Sequence, residues 1–152
     1  MAVSAAWRRG RAHALEPATQ DAEKLRGLAR GQRIRFVGEA SDVPAFLREL
    51  DVYCLIAEPE GCPNASLEAM MAGLPVIATD AGGANEQVIH EHNGLLVPRG
   101  DVDAFARAMR QLAESPELRA RMSENSRKHV CEHFSEESFV QGYLHLLHAT
   151  SN

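Results

Sequence analysis

Apolar positions fall into two alternating patterns along the middle of the chain. Residues 34–37, 52–56, 74–79 and 95–97 read as short strands, of which 52–56 and 74–79 are apolar runs of the kind expected of strands buried on both faces. Between them the spacing is helical. Ser41 and Asp42 can cap a helix over residues 43–49 that buries Phe46, Leu47 and Leu50. Residues 65–72 are good helix formers, closed by Gly73 and Pro75. Asp80 to Gly83 reads as a glycine turn leading into a short helix over residues 85–90. Asp101 caps a helix in which Phe105, Ala108, Met109 and Leu112 recur at helical spacing. Ser115 and Pro116 then open another, with Leu118 and Met122, that runs to about His133. A last helix from Ser135 is expected to bury Phe139, Tyr143, Leu146 and Leu147. Upstream, Ala22, Leu25, Leu28 and Ala29 share one face of a helix that Gly31 stops. Residues 1–17 have no clear periodicity, and residues 2–7 read equally as a ragged strand or as the edge of a gene fragment.

Strands alternating with helices imply right-handed crossovers and a parallel sheet, so the expected fold class is α/β, a Rossmann-like three-layer α/β/α sandwich. Residues 21–150 form this domain, and residues 1–20 stay unassigned. In such a sheet a ligand lies beyond the carboxyl ends of the strands.

Composition narrows the function classes. A chain of 152 residues suits one domain with a real core, and a net charge of −5 argues against nucleic acid as the main partner. Arg119, Arg121, Arg127 and Lys128 are interleaved with acidic residues and read as solvated helix surface. No apolar run approaches the roughly 18 to 20 residues of a transmembrane segment. Arg8, Arg9 and Arg11 follow a short apolar run, the reverse of a secretory signal, so a cytoplasmic location is expected, with peripheral membrane association left open. Cys54, Cys62 and Cys131 are an odd set without paired spacing, which fits free thiols in a reducing compartment.

The candidate chemistry centres on Glu60 and Glu68, two carboxylates with seven residues between them. Glu60 lies in the loop before the helix, and Glu68 about one turn inside it. The amides of Asn64, Ala65 and Ser66 lack intrahelical partners and would suit a diphosphate, while the carboxylates would accept from sugar diols, at roughly 1.5 to 3 kcal/mol per charge-assisted bond. A nucleotide sugar has both features. The plainer alternative is that Glu60 only favours the helix dipole and Glu68 is solvated. Other constellations carry less. His129 and His133 are one turn apart around Cys131, and His90 and His92 flank Glu91, yet a zinc site needs three or four ligands with a supporting shell. No metal is expected. Cys62 near a helix N-terminus has the setting of an activated thiol, but lining the site is the simpler role.

The stretch EGCPNASLEAMMAGLPVIATDAGGANE, residues 60–86, resembles the signature of the retaining GT-B glycosyltransferases of family 4. Glu60, Gly61, Pro63, Asn64, Glu68, Ala69, Met70, Gly73, Pro75, Val76, Gly82, Gly83 and Glu86 all stand where that pattern wants them. The resemblance extends more weakly over residues 34–147 and implies the later part of a C-terminal donor-binding domain. It implies that Glu68 accepts from the ribose and that Glu60, the catalytic candidate, touches the donor sugar and supports charge at its anomeric carbon. It further implies that Gly61, Cys62, Asn64 and Ala65 face sugar and diphosphate, with Gly82 and Gly83 beside them, and that Phe36 and Val37, ahead of Gly38, lie against the base. Transfer would use a UDP- or GDP-sugar, retain configuration, and need no cofactor or metal.

One departure is large. The family's upstream Arg/Lys segment, which grips the diphosphate, has no match in residues 1–31, and the acceptor-binding domain is absent from this chain. In the resembled domain the strands are ordered 3-2-1-4-5-6, and the four legible strands correspond to numbers 3 to 6. Either the N-terminal residues substitute for strands 1 and 2, or the sheet closes up or exposes edges. The expected function is therefore a glycosyltransferase fragment or subunit that supplies the donor site, inactive as an isolated chain and partnered by an acceptor-binding domain or subunit. The alternative is a non-catalytic nucleotide-binding or partner-binding module on the same scaffold. A retaining phosphorylase or sugar-nucleotide epimerase is a weaker third option. Base, sugar, acceptor and oligomeric state are not legible.

Overall fold

A computed structural model describes residues 3–8, 11–14, 27, 29–32, 34–36, 40–56 and 64–149. The strands are β1 (Val3–Arg8), β2 (Arg11–Ala14), β3 (Ile34–Phe36), β4 (Val52–Ile56), β5 (Val76–Thr79) and β6 (Gly94–Val97). The helices are α1 (Val43–Arg48), α2 (Asn64–Met71), α3 (Ala84–Gln87), α4 (Val102–Glu114), α5 (Pro116–His133) and α6 (Glu136–Ala149). The expected helix ahead of Gly31 lies mostly outside the described residues; Gly27 is helical and Gly31 has φ +79°, the left-handed conformation of a helix stop.

The strands form one sheet in the order β3-β2-β1-β4-β5-β6. β4, β5 and β6 pair in parallel, as do β2 and β3, while β1 is antiparallel to both its neighbours. Two reversals cancel, so every strand except β1 points the same way and their carboxyl ends share one edge. Of the options for the two absent strands, substitution is what occurs: the unassigned N-terminal segment provides β1 and β2.

Alternation along β4 and β5 divides the core between the two faces of the sheet. Tyr53, Leu55, Val76 and Ala78 pack with Leu47 of α1, Ala69 and Met70 of α2, and Val130 of α5. Val52, Cys54 and Ile77 pack with Leu95 and Val97 of β6, Ala108 and Leu112 of α4, and Met122 of α5. This is the three-layer arrangement implied by runs of apolar residues with no polar face. Burial pushes the Cys54 thiol up to about 12, and its Sγ sits 3.3 Å from Met109 Sδ. Cys54 and Cys131 are both free.

The caps are those the residue types imply. Asp42 accepts from the Ala45 amide at 2.9 Å, Asp101 from the Ala104 amide at 2.8 Å, and Ser115 from the Leu118 amide at 3.2 Å. Two arginines expected to be mere solvated surface instead close helix C-termini. Arg119 donates to the carbonyls of Leu112 and Ala113 at the end of α4, and Arg127 to that of Ala72 at the end of α2. Phe139 is not buried as expected but 74% exposed, α6 packing mainly on α5. The Tyr143, Leu146 and Leu147 side chains lie outside the description. α3 is also shorter than expected, since Val88 takes up extended backbone after Gln87.

Candidate functional site

β5 runs out at Thr79, and the chain turns sharply over the edge of the sheet. Asp80 N–H donates to Val97 O at 2.8 Å, tying the turn to β6, and Ala81 N–H closes back on Thr79 O. Gly82 then takes φ +57°, a conformation that makes glycine the natural occupant. Gly83 is buried and opens α3. The glycine pair thus lies at the carboxyl end of a central strand, where the sequence placed it.

α2 begins after the loop that leaves β4 at the same edge. Its first turn carries Asn64, exposed, and Ala65, half-buried; Glu68 is exposed one turn further on. Ser66, Ala69 and Met70 form its buried stripe at i, i+3, i+4 spacing. At its far end, Leu74 N–H bonds to Ala69 O and Gly73 N–H to Met70 O, both at 2.9 Å, the paired bonds of a Schellman motif around Gly73 at φ +81°. Arg127 and Ser123 of α5 satisfy the Ala72 and Gly73 carbonyls.

Two side chains that sequence reasoning did not single out, Ser66 (named there only for its amide) and Gln87, join α2 to α3. Ser66 Oγ donates to Gln87 Oε1 at 2.5 Å, and both residues are fully buried. The buried stripe of α2 was the available signal for Ser66; Gln87 had none.

Asn64 and Ala65 thus sit in the first turn of α2 with Glu68 one turn on, and the Ser66–Gln87 bond ties that first turn to α3, into which the Gly82–Gly83 turn leads. Phe36 ends β3 on the same edge, but two strands stand between β3 and β4, a lateral separation of about 14 Å at ordinary strand spacing. Val37, Glu60, Gly61 and Cys62 lie outside the described residues. A groove of about 740 Å³ between α1, α2 and the end of α5 is lined by Val43, Leu47, Leu67, Met71, Val130 and Phe134 among others. Of the described candidate residues only Glu68 borders it, and no residue of the glycine turn does. Among the described residues no cluster of three or more His, Cys, Asp or Glu has the geometry to hold a metal ion.

Strand ends, a glycine turn and a helix N-terminus meet on one edge of an α/β sheet. The chain belongs to the family of glycosyl transferases group 1, whose model matches residues 17–129. Among curated relatives, the lipopolysaccharide core biosynthesis glycosyltransferase LpsE of Rhizobium meliloti is 35% identical over 115 residues, covering 76% of this chain and 34% of the relative. The N-acetyl-alpha-D-glucosaminyl L-malate synthase of Bacillus anthracis is 35% identical over 111 residues, 73% of this chain and 29% of that protein. The chain therefore spans about a third of the length of these relatives. Among solved structures, Anabaena HepE in complex with UDP superposes with a TM-score of 0.77 at 26% identity, over 84% of this chain and 36% of that one. The C-terminal domain of the Francisella tularensis group 1 glycosyl transferase LpcC gives 0.65 at 27% identity, over 75% and 60%. The fold is that of a GT-B glycosyltransferase C-terminal domain. Among the described residues no helix is long and apolar enough to cross a membrane.

Proposed function

We propose that this chain is the donor-binding part of a retaining, metal-independent glycosyltransferase. Its diphosphate site is the first turn of α2 facing the Gly82–Gly83 turn. The observation that carries this reading is the convergence of that turn and the start of α2 on the edge shared by the carboxyl ends of β4 and β5. Unpaired amides at a helix N-terminus and the positive end of its dipole stabilise an anion. HepE, whose fold this chain shares, was solved with UDP and with UDP-glucose, which makes a UDP-sugar the first donor to try.

In this reading Glu68 accepts from the ribose hydroxyls, and its exposed place on α2 leaves it accessible to a ligand. Glu60, Gly61 and Cys62 surround the donor sugar, with Glu60 supporting positive charge at the anomeric carbon as the diphosphate leaves. The leaving group is stabilised by the amides of Asn64 and Ala65 and by the helix dipole. Phe36 and Val37 approach the base. An acceptor-binding domain or subunit completes the enzyme, so the isolated chain is expected to bind donor without turnover.

Calorimetric titration of UDP, GDP and their sugars into Glu68→Ala and Glu60→Ala tests the assignment. Glu68→Ala is expected to weaken the nucleoside diphosphate about 10- to 150-fold, corresponding to roughly 1.5 to 3 kcal/mol. Glu60→Ala is expected to spare the diphosphate and weaken only the sugar nucleotide. Unchanged affinity in a folded Glu68→Ala variant would sink the ribose role, and equal weakening of both ligands by Glu60→Ala would sink the division of labour.

A further inference from the structure

Among the described residues five polar side chains belong to buried residues: Ser66, Thr79, Gln87, Asn93 and Ser126. Four of them form one connected chain. Ser66 of α2 donates to the Gln87 side chain of α3 at 2.5 Å, and the Gln87 backbone carbonyl accepts from Asn93 Nδ2 at 3.1 Å. Asn93 Oδ1 accepts from the Ile89 amide at 2.8 Å, and the Asn93 carbonyl accepts from Ser126 Oγ of α5 at 2.9 Å. A core could be filled more simply by apolar side chains, and buried polar groups are costly unless satisfied. What this chain of bonds adds is direction. It fixes the first turn of α2 against the end of α3, and α3 against α5 through the turn at residues 88–93.

The position of the Ser66–Gln87 bond matters more than its strength. Ser66 is in the turn whose amides the proposed function assigns to the diphosphate, while Gln87 ends the four-residue helix that Gly83 begins. The C-terminal end of α2 is held separately, by Arg127 and Ser123. We infer that Ser66 and Gln87 are positioning residues of the donor site. Resting on the proposed function, the lock between them holds the amide-bearing turn of α2 in register with the Gly82–Gly83 turn, so that one diphosphate meets both. Neither side chain touches the ligand; they act through backbone placement. Anion recognition by fixed amides depends on their being organised before the ligand arrives.

Gln87→Met keeps the length of the side chain and removes the acceptor, and Ser66→Ala removes the donor. Two measurements at a temperature where every variant is folded decide the matter. Affinity for UDP and GDP is expected to fall about tenfold in Gln87→Met, while affinity for uridine and guanosine stays within about twofold, because Glu68 lies beyond the locked turn. The double variant is expected to be no weaker than the worse single variant, as for two ends of one bond. Amide hydrogen exchange supplies a readout without ligand. The amides of residues 68–71, which bond back to the first turn, should exchange about tenfold faster in Gln87→Met, with those of α4 unchanged. Unaltered exchange at residues 68–71, or equal acceleration in α4, overturns the lock. Equal loss of nucleoside and nucleoside diphosphate overturns its link to the diphosphate. A parent chain that binds neither UDP nor GDP overturns the donor-site reading itself, while the exchange result still decides whether the lock exists.

Discussion

At the scale of single residues, two positions carry strain or charge that a solution measurement can read. Glu91 takes φ +62°, the one non-glycine residue at positive φ among the described residues, in the turn that ties Ile89 to Asn93 before β6. The left-handed region costs an ordinary residue about 1 to 2 kcal/mol, part of which glycine gives back through its looser unfolded state. Glu91→Gly is therefore expected to stabilise the chain by about 0.5 to 1 kcal/mol, visible as a higher urea midpoint at unchanged m-value. His129 is the second position. Its Nε2 is buried without a hydrogen-bond partner, and its ring lies 4.8 Å from that of His133 and 5.6 Å from that of Phe134. Burial holds its pKa below the ordinary value of 6.5, as do the nearby His133 and His92, against opposing contributions from the Glu86 backbone and Glu132. A base with a lowered folded pKa is neutral in both states above its ordinary value. As pH falls below that value the unfolded chain takes up the proton first, so stability is lost until the folded pKa is passed. Thermal unfolding at about pH 7.5 and about pH 5.5 should show a smaller drop for His129→Leu than for the parent. Equal drops would show that His129 does not titrate in this window.

At the scale of elements, α2 is held at both ends, and its C-terminal clamp is the easier to break. A Cβ at Gly73 would sit 2.3 Å from Arg127 Nε, on a backbone at φ +81°. Gly73→Ala is expected to cost about 1 to 2 kcal/mol from the backbone alone, and more as Arg127 is displaced. Arg127→Ala removes a cation from a helix C-terminus, worth about 0.3 to 1 kcal/mol, and leaves the glycine conformation intact. Chemical denaturation of both variants checks the order; a larger loss in Arg127→Ala would mean that the side chain and not the backbone secures this end. These elements also show what the sequence could reveal. β4 and β5 were legible because strands covered on both faces must be apolar throughout, and α1, α4 and α5 because Asp42, Asp101 and Ser115 are caps whose action is local. Glu68 and the glycine pair were singled out through a dense motif. The Ser66–Gln87 bond was not, since the burial of a polar side chain depends on which element docks over it, and α3 is too short to show a face. Phe139 misled for the converse reason: helical spacing marks an apolar side of α6 without saying that the rest of the domain covers it.

For the whole molecule, the decisive element is β1. Its residues carry little strand signature, and what places them is pairing on both sides: Ala6 stands opposite His13 of β2 and Tyr53 of β4. β1 occupies the position of strand 1 in the 3-2-1-4-5-6 order while running against its neighbours, so it joins β3 and β2 to the β4-β5-β6 half that carries α2 and the glycine turn. Every amide of such an interior strand points toward one ladder or the other, and a proline anywhere in it removes a bond and wedges a ring between strands. Ala6→Pro is therefore expected to destabilise the chain by about 2 kcal/mol or more, a fall in Tm of roughly 5 °C or more for a domain of this size. The same substitution should weaken UDP or GDP binding only as far as it unfolds the chain, because the first turn of α2 is registered by α3 and not by β1. Calorimetric unfolding with and without nucleotide separates the two effects. An unchanged Tm would mean that the β4-β5-β6 half is stable without its antiparallel neighbour, and a lost affinity at full folding would mean that β1 shapes the donor site directly.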